Sequence, residues 1–339
     1  MTTSTSAPGK LFLLGEYAVL AGGPALLTAT SRRIHVLPQT PSGPYQVLGA
    51  DFDDPFHLPR IVLDVLAEHN IFPALAKHRD HSGSQVQSPS LIADLRELYS
   101  PGGEKLGLGS SAASTVALIT AMAPELDIAT RFELAFQAHR QLQNGRGSGA
   151  DIATSTFGGT LAFTLKETLP PFDQLLDLPL PVQGLSTPSA IIETGLHFPQ
   201  QLQIYALWTG APAHTVSFLS TLRKATDRKH PQIRTLFSSI AEVAADGIHA
   251  LRESKLSPFL WALAEGDRLM EELGDLLDLP IVTDTHRQIR AIADAAGFTA
   301  KPSGAGGGDF TLVAGPRERP FPPELLESFL SLPLHSPVT

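Results

Sequence analysis

Apolar and polar positions along this chain change period several times, and each change marks an element. Leu11 to Leu14 and Ala18 to Leu27 are apolar stretches broken at Gly15-Glu16, which predicts strand, turn and strand over 7–29. Arg32 to Leu37 reads as a further strand. From Pro59 to Asn70, Ile61, Val62, Val65 and Leu66 share one face and Asp64 and Glu68 another, the period of an amphipathic helix. The run 74–89, rich in Ser, Gln and His, has no such period and reads as an exposed excursion. Leu91 to Leu98 reads as a strand delivering the chain into a glycine-rich loop. Two helices follow, over 111–122 and 129–143, the second stopped by Asn144-Gly145. After a strand over 160–165, the prolines of 169–188 mark a linker or domain boundary. Beyond them a strand over 202–209, helices over 215–224, 233–254, 258–273 and 284–296, and a strand over 310–314 are expected. Strands and helices alternate without a fixed-period repeat, so the class is α+β or α/β.

The polar breaks carry the candidate chemistry. In Lys105-Leu-Gly-Leu-Gly-Ser-Ser-Ala112, Gly107 and Gly109 remove side chains and admit positive φ. Ser110 or Ser111 is expected to cap the following helix, whose first amides and positive dipole end make a phosphate seat. A Gly/Ser turn capping a buried helix satisfies the same pattern. Arg146-Gly-Ser-Gly-Ala-Asp151 and Lys301-Pro-Ser-Gly-Ala-Gly-Gly-Gly-Asp309 are further glycine clusters. None is G-x-x-x-x-G-K-[ST], and no strand–G-x-G-x-x-G–helix unit occurs, which disfavours a dinucleotide enzyme. Lys10, after Pro8-Gly9, is either a solvated strand-end lysine or one carried into a buried place by Leu11 to Leu14. Asp151 is either a helix N-cap or a reacting carboxylate.

Composition narrows the ligand. The 339 residues allow two domains with real cores, and 42% apolar with 17% charged residues is ordinary for a globular protein. With 25 Lys+Arg against 34 Asp+Glu the net charge is −9, which argues against nucleic acid or anionic membrane as partner and for a small molecule in a local positive pocket. The absence of cysteine excludes disulfides and thiolate metal sites. The start, Met1 to Ser6, lacks the pattern of a signal peptide, and no window reaches the roughly 18 apolar residues of a membrane span. A cytoplasmic location is expected.

Taken together, Pro8-Gly9-Lys10-Leu-Phe-Leu-Leu-Gly-Glu-Tyr17, Gly107-Leu-Gly-Ser-Ser-Ala112 and Ser303-Gly-Ala-Gly-Gly-Gly308 resemble, in order and spacing, the three motifs of the GHMP kinase family. The resemblance extends over nearly the whole chain. It implies a two-domain α+β fold, with a ribosomal-S5-like N-terminal domain over 1–180 and a ferredoxin-like C-terminal domain over 181–339. It also implies ATP and Mg²⁺ as cofactors. Lys105, the segments Ala138-His-Arg-Gln-Leu-Gln143 and Gly147-Ser-Gly-Ala-Asp-Ile-Ala153, and Trp208-Thr-Gly210 resemble the subgroup that phosphorylates 5-phosphomevalonate. The expected partner is therefore a small phosphorylated, mevalonate-like acid, handled by a monomer or homodimer. Mevalonate kinase, another small-molecule kinase of the family, and a catalytically silent nucleotide- or metabolite-binding sensor are the rivals.

By that resemblance Lys105, Gly107, Leu108, Gly109, Ser110, Ser111 and Ala112 bind ATP, with the Ser110 or Ser111 hydroxyl on the metal. Lys10 and Asp151 are the catalytic pair, Asp151 acting as base or only as orienter. Lys10, Tyr17, Arg140, Arg146, Ser148, Gly149, Asp151, Lys301, Ser303, Gly304, Ala305 and Gly306 face the acceptor. Lys105, Arg140, Arg146 and Lys301 are the cations a phosphorylated acceptor requires. Three features depart from the pattern, the first being a middle excursion short for the subgroup. His214 stands where a serine is common, and His139-Arg140 stands where mevalonate kinases carry a metal-ligating glutamate. His139 and His214 are expected to be structural or pocket-lining.

Overall fold

The computed structural model describes residues 4–39, 43–49, 57–73, 76–79, 85–145, 147–167, 184–213 and 215–334. Arg146, His214, parts of the excursion 74–89 and residues 169–183 of the proline-dense stretch lie outside the described residues. In chain order the elements are β1 (Thr5–Leu14), β2 (Pro24–Pro38), β3 (Gln46–Leu48), α1 (His57–Glu68), β4 (Ala76–Arg79), β5 (Gln85–Ser88) and β6 (Leu91–Asp94). Then come α2 (Ser110–Met122), α3 (Ile128–Leu142), α4 (Ala150–Phe157), β7 (Thr160–Leu165), β8 (Leu185–Ser186), β9 (Ala190–Leu196) and β10 (Leu202–Trp208). The chain continues with α5 (Thr215–Arg252), α6 (Leu256–Leu277), α7 (Asp284–Ala295), β11 (Thr299–Ser303), β12 (Phe310–Pro316), α8 (Pro323–Ser328) and β13 (Ser331–Pro333). Two compact units result: Met1–Lys10 with Ser31–Gly158, and Leu11–Thr30 with Gly159–Thr339.

In the first unit the later part of β2 pairs antiparallel with β6, from His35 opposite Asp94 to Pro38 opposite Leu91, and β6 pairs parallel with β3. Helices α1 to α4 pack on one another. Ala112, Ala113, Ala117, Leu118 and Ile119 of α2 are fully buried, so this helix is apolar nearly all round and sits inside the unit. Asp127 caps α3 by accepting the amides of Ala129 and Thr130, both at 3.0 Å.

In the second unit the start of β2 pairs antiparallel with β7, from Pro24 opposite Thr164 to Thr28 opposite Thr160. Strand β7 pairs with β9, and β9 with β8. A separate antiparallel sheet runs in the order β11-β12-β10-β13. Its core joins Leu207, Ile289, Ala293, Phe298, Ala300, Val313 and Leu325. Helices α5 and α6 pack along each other, and Gly247 and Gly266 leave room for Leu14. A Cβ at Gly247 would come within 2.2 Å of that side chain.

Several expected boundaries change. The strands expected on either side of Thr30 are one strand, β2, because its two ends each find a ladder partner. Leu91–Leu98 is a strand only to Asp94 and then a 3₁₀ turn over 96–98. The helices expected over 215–224 and 233–254 are the single helix α5, which continues through Pro231. Packing against α6 outweighs the local cost of that proline. Among the described residues no helix is long and apolar enough to cross a membrane.

Candidate active site

The glycine loop is held by alternating buried leucines. Leu106 and Leu108 are buried, the Leu106 amide donates to the Leu98 carbonyl at 3.1 Å, and the Leu108 carbonyl accepts from the Lys10 amide at 2.9 Å. Between them Gly107 and Gly109 take φ of 77° and 76°, the left-handed region that suits glycine. Gly109 itself is the N-cap of α2, with no side-chain cap. This corrects the expectation that Ser110 or Ser111 caps the helix: Ser110 is its first residue, and Ser111 has another partner. The amides of Ser110, Ser111 and Ala112 are left without intrahelical carbonyls at the positive end of the helix.

Lys10 lies across this turn. A Cβ at Gly109 would sit 3.2 Å from both Cγ and Cε of Lys10, so the lysine stem packs along the bare backbone at the start of α2. Next to the loop is a pocket walled by Tyr45, Val47, Leu58, Leu95, Tyr99 and Leu142, with Lys105, Ser110 and Ser111 as polar lining. Burial pushes the phenols of Tyr45 and Tyr99 up. Lys105 is exposed and bridges to Tyr99 through the backbone.

Asp151 stands in the first turn of α4. The N-cap of that helix is Gly149, with φ 80°, so Asp151 is not the cap. One turn later on the same face, the Ser155 hydroxyl donates to the Pro8 carbonyl at 2.9 Å, which ties α4 to the segment carrying Lys10. The Asp151 side chain is about one-fifth exposed (21%). Its Oδ1 accepts from the Ile152 amide at 3.0 Å and lies 3.9 Å from Nδ1 of His139. His139 is buried on α3, with Nε2 at 3.1 Å from the Ser111 hydroxyl and 3.2 Å from Nε2 of Gln143. The ring thus stands between the starts of α2 and α4. Sequence pattern alone gave no reason to link residues on three helices. The signal that existed was an i, i+4 pair, His139 and Gln143, beside the glycine cluster.

The Arg140 guanidinium lies 5.5 Å from the centroid of the Phe136 ring, which also fills the space beside Gly149. The Ser148 hydroxyl accepts from the Ala150 amide at 3.4 Å. The first unit therefore brings together Lys10, the glycine loop, Arg140, Ser148, Gly149 and Asp151.

The remaining expected residues cluster within the second unit. Lys301 is 1% exposed and donates to Glu16 at 2.5 Å and to its neighbour's carbonyl, that of Pro302, at 2.7 Å. This corrects its reading as a cation offered to the acceptor, because a buried ammonium satisfied by Glu16 fixes the loop instead. Glu16 also accepts from the Gly304 amide at 3.3 Å. The Tyr17 hydroxyl donates to the Ala305 carbonyl at 2.6 Å, and Ser303 donates to the Phe12 carbonyl at 2.8 Å. Burial, with Glu16 adjacent, holds the Tyr17 phenol far above its ordinary range, so it remains a donor. Gly306 fits against the Ile281 carbonyl, 2.3 Å from where a Cβ would be, whereas a Cβ at Gly304 would meet open space.

Residues 92–159 match the family model of the GHMP kinases N terminal domain. Phosphomevalonate kinase of Streptomyces sp. (strain CL190) is 29% identical over 89% of this chain and 87% of its own length. Mevalonate kinase of Archaeoglobus fulgidus is 34% identical over 47% of this chain and 51% of its own. Among solved structures, Streptococcus pneumoniae phosphomevalonate kinase in complex with phosphomevalonate and AMPPNP has the same fold. The TM-score is 0.73 over 96% of this chain and 95% of that one, at 18% identity.

Proposed function

We propose that this chain, a phosphotransferase with the two-domain GHMP kinase fold, moves the terminal phosphoryl group of ATP onto the phosphate of 5-phosphomevalonate, giving ADP and 5-diphosphomevalonate. The observation that carries the chemistry is Lys10 packed along Gly109 at the open start of α2, with α4 and Asp151 tied to the same segment through Ser155 and Pro8. The named acceptor rests on the likeness to the Streptomyces enzyme along most of both chains.

In this reading the amides of Ser110 to Ala112 receive the ATP phosphates, and the aromatic-walled pocket beside them takes the base and sugar. The Lys10 ammonium neutralises charge on the transferred group. A phosphate acceptor, with a second pKa of about 6, is already largely ionised near pH 7, so Asp151 orients it rather than stripping a proton from it. Arg140 and Lys105 serve as acceptor or nucleotide cations, and Arg146, by sequence position, joins them. Among the described residues no three His, Asp or Glu side chains converge as a metal site. The hydroxyls of Ser110 and Ser111 fit Mg²⁺, which prefers oxygen donors and keeps several waters. When bound, the ion neutralises the phosphate oxygens. Nucleotide binding within residues 1–180, a second domain over 181–339, a cytoplasmic location and a monomer or homodimer complete the proposal.

A second reading, phosphorylation of mevalonate itself, is favoured by the 34% identity to the Archaeoglobus enzyme over half the chain. ADP release with ATP and Mg²⁺ and, in turn, mevalonate, 5-phosphomevalonate and 5-diphosphomevalonate separates the readings. Turnover with 5-phosphomevalonate is expected. Turnover with mevalonate alone overturns the acceptor, and none with any acceptor leaves a nucleotide-binding sensor.

A further inference from the structure

A serine that offers its oxygen to a cation has to send its proton elsewhere, because a hydroxyl carries one donor and two lone pairs. Ser111 has such an outlet. Its Oγ lies 3.1 Å from Nε2 of His139, a ring only 2% exposed and so shielded from competing water. The surroundings fix which ring nitrogen holds the proton. The Gln143 side-chain nitrogen, 3.2 Å from the same Nε2, is a donor only, so Nε2 has to accept, its one lone pair shared between Gln143 and Ser111. The proton then sits on Nδ1, and Nδ1 is the nitrogen that faces Oδ1 of Asp151 at 3.9 Å. The Gln143 amide lies against the bare backbone of Gly147, where a Cβ would come within 1.9 Å of its Oε1. The ring, its tautomer and its orientation are thus set by residues of α2, α3 and α4 together.

We propose that His139 is a positioning residue of the phosphoryl-transfer site. Its Nε2 accepts a hydrogen bond from the Ser111 hydroxyl, which would leave the serine oxygen's lone pairs for a nucleotide-bound Mg²⁺, and its Nδ1–H stands towards Asp151. The proposal rests on the reading of this chain as an ATP-dependent kinase. It gives a buried histidine, where mevalonate kinases place a ligating glutamate, an indirect part in metal binding through the serine. The same ring couples the cation side of the site to the acceptor side, since Ser111 opens α2 and Asp151 opens α4.

The test compares the whole protein with His139→Phe, which keeps bulk but removes both polar contacts, and His139→Gln, which can accept and donate. Thermal unfolding shows that each variant is folded. Calorimetric binding of AMPPNP is measured with Mg²⁺ and with EDTA, and kcat and KM are measured for both substrates. For His139→Phe, metal-free AMPPNP affinity should stay within about twofold, while the gain from Mg²⁺ and kcat each fall about 10- to 100-fold, the usual range for outer-shell partners of a metal ligand. His139→Gln should recover most of that loss. If His139→Phe does not fold, Ser111→Ala, His139→Leu and the double variant His139→Leu/Ser111→Ala decide instead. The double variant should lose no more Mg²⁺-dependent affinity than Ser111→Ala alone, and additive losses overturn the proposal. A folded His139→Phe with wild-type Mg²⁺ dependence and kcat also overturns it. The binding arm needs no acceptor, so failure of the wild-type protein to use 5-phosphomevalonate refutes the acceptor reading and still leaves His139 decided.

Discussion

Gly149 offers the sharpest test of how the fold aims Asp151. It holds φ 80° at the N-cap of α4, and a Cβ there would lie 2.2 Å from both Cδ2 and Cε2 of Phe136. The ring has nowhere to retreat: Phe136 is 4% exposed, packs on Phe132 with centroids 5.8 Å apart, and carries Arg140 on its face. In Gly149→Ala the left-handed conformation costs about 1–2 kcal/mol. Overpacking against the ring adds about 1–3 kcal/mol. The sum, about 2–5 kcal/mol, is a large part of the roughly 5–15 kcal/mol that holds a domain folded. Urea unfolding at 25 °C should show a lower midpoint with an unchanged slope. Because Asp151 is two residues on, kcat should fall as well. Adding Phe136→Leu should return the steric part and leave the backbone part. A Gly149→Ala protein within about 0.5 kcal/mol of wild type, the range of an ordinary surface change, would refute the reasoning.

Other expectations follow from the same geometry. Lys10→Met should lower kcat far more than Asp151→Asn in steady-state assays, since the acceptor is already ionised; equal losses would make Asp151 a base. Arg140→Ala should raise KM for the acceptor more than for ATP, and the reverse split would move Arg140 to the nucleotide. Lys301→Met strands the Glu16 carboxylate in the interior and should cost about 3–5 kcal/mol of stability in urea melts. Burial holds His286 at a pKa of about 4, against 6.5 when unfolded, so the folded state resists its protonation. Its stabilising effect is complete above pH 6.5 and is lost as the pH falls towards 4. Comparing wild type with His286→Gln should expose about 2 kcal/mol of extra loss in the wild type between pH 7 and 5.

Local signals carried the sequence reading as far as local physics extends. Positive φ at Gly107 and Gly109 was legible because a tight glycine turn into a helix demands it. The amphipathic period of α1 and the end of α3 before Asn144-Gly145 were legible for the same reason. What escaped depends on partners distant in sequence. The stretch between 224 and 233 reads as a gap between two helices, yet α5 runs through it, Pro231 included, and packs along α6. Lys301 beside a glycine cluster reads as a ligand cation until Glu16, remote in sequence, is found against it. His139 reads as a packing residue until Ser111 and Asp151 are seen on either side.

Phosphorus NMR of the reaction with ATP, Mg²⁺ and 5-phosphomevalonate tests the central claim most directly, because it reports the bond formed. The phosphomonoester signal should give way to the two coupled signals of a diphosphate as ADP accumulates. A phosphomonoester signal that persists, whether or not ATP is consumed, would contradict it.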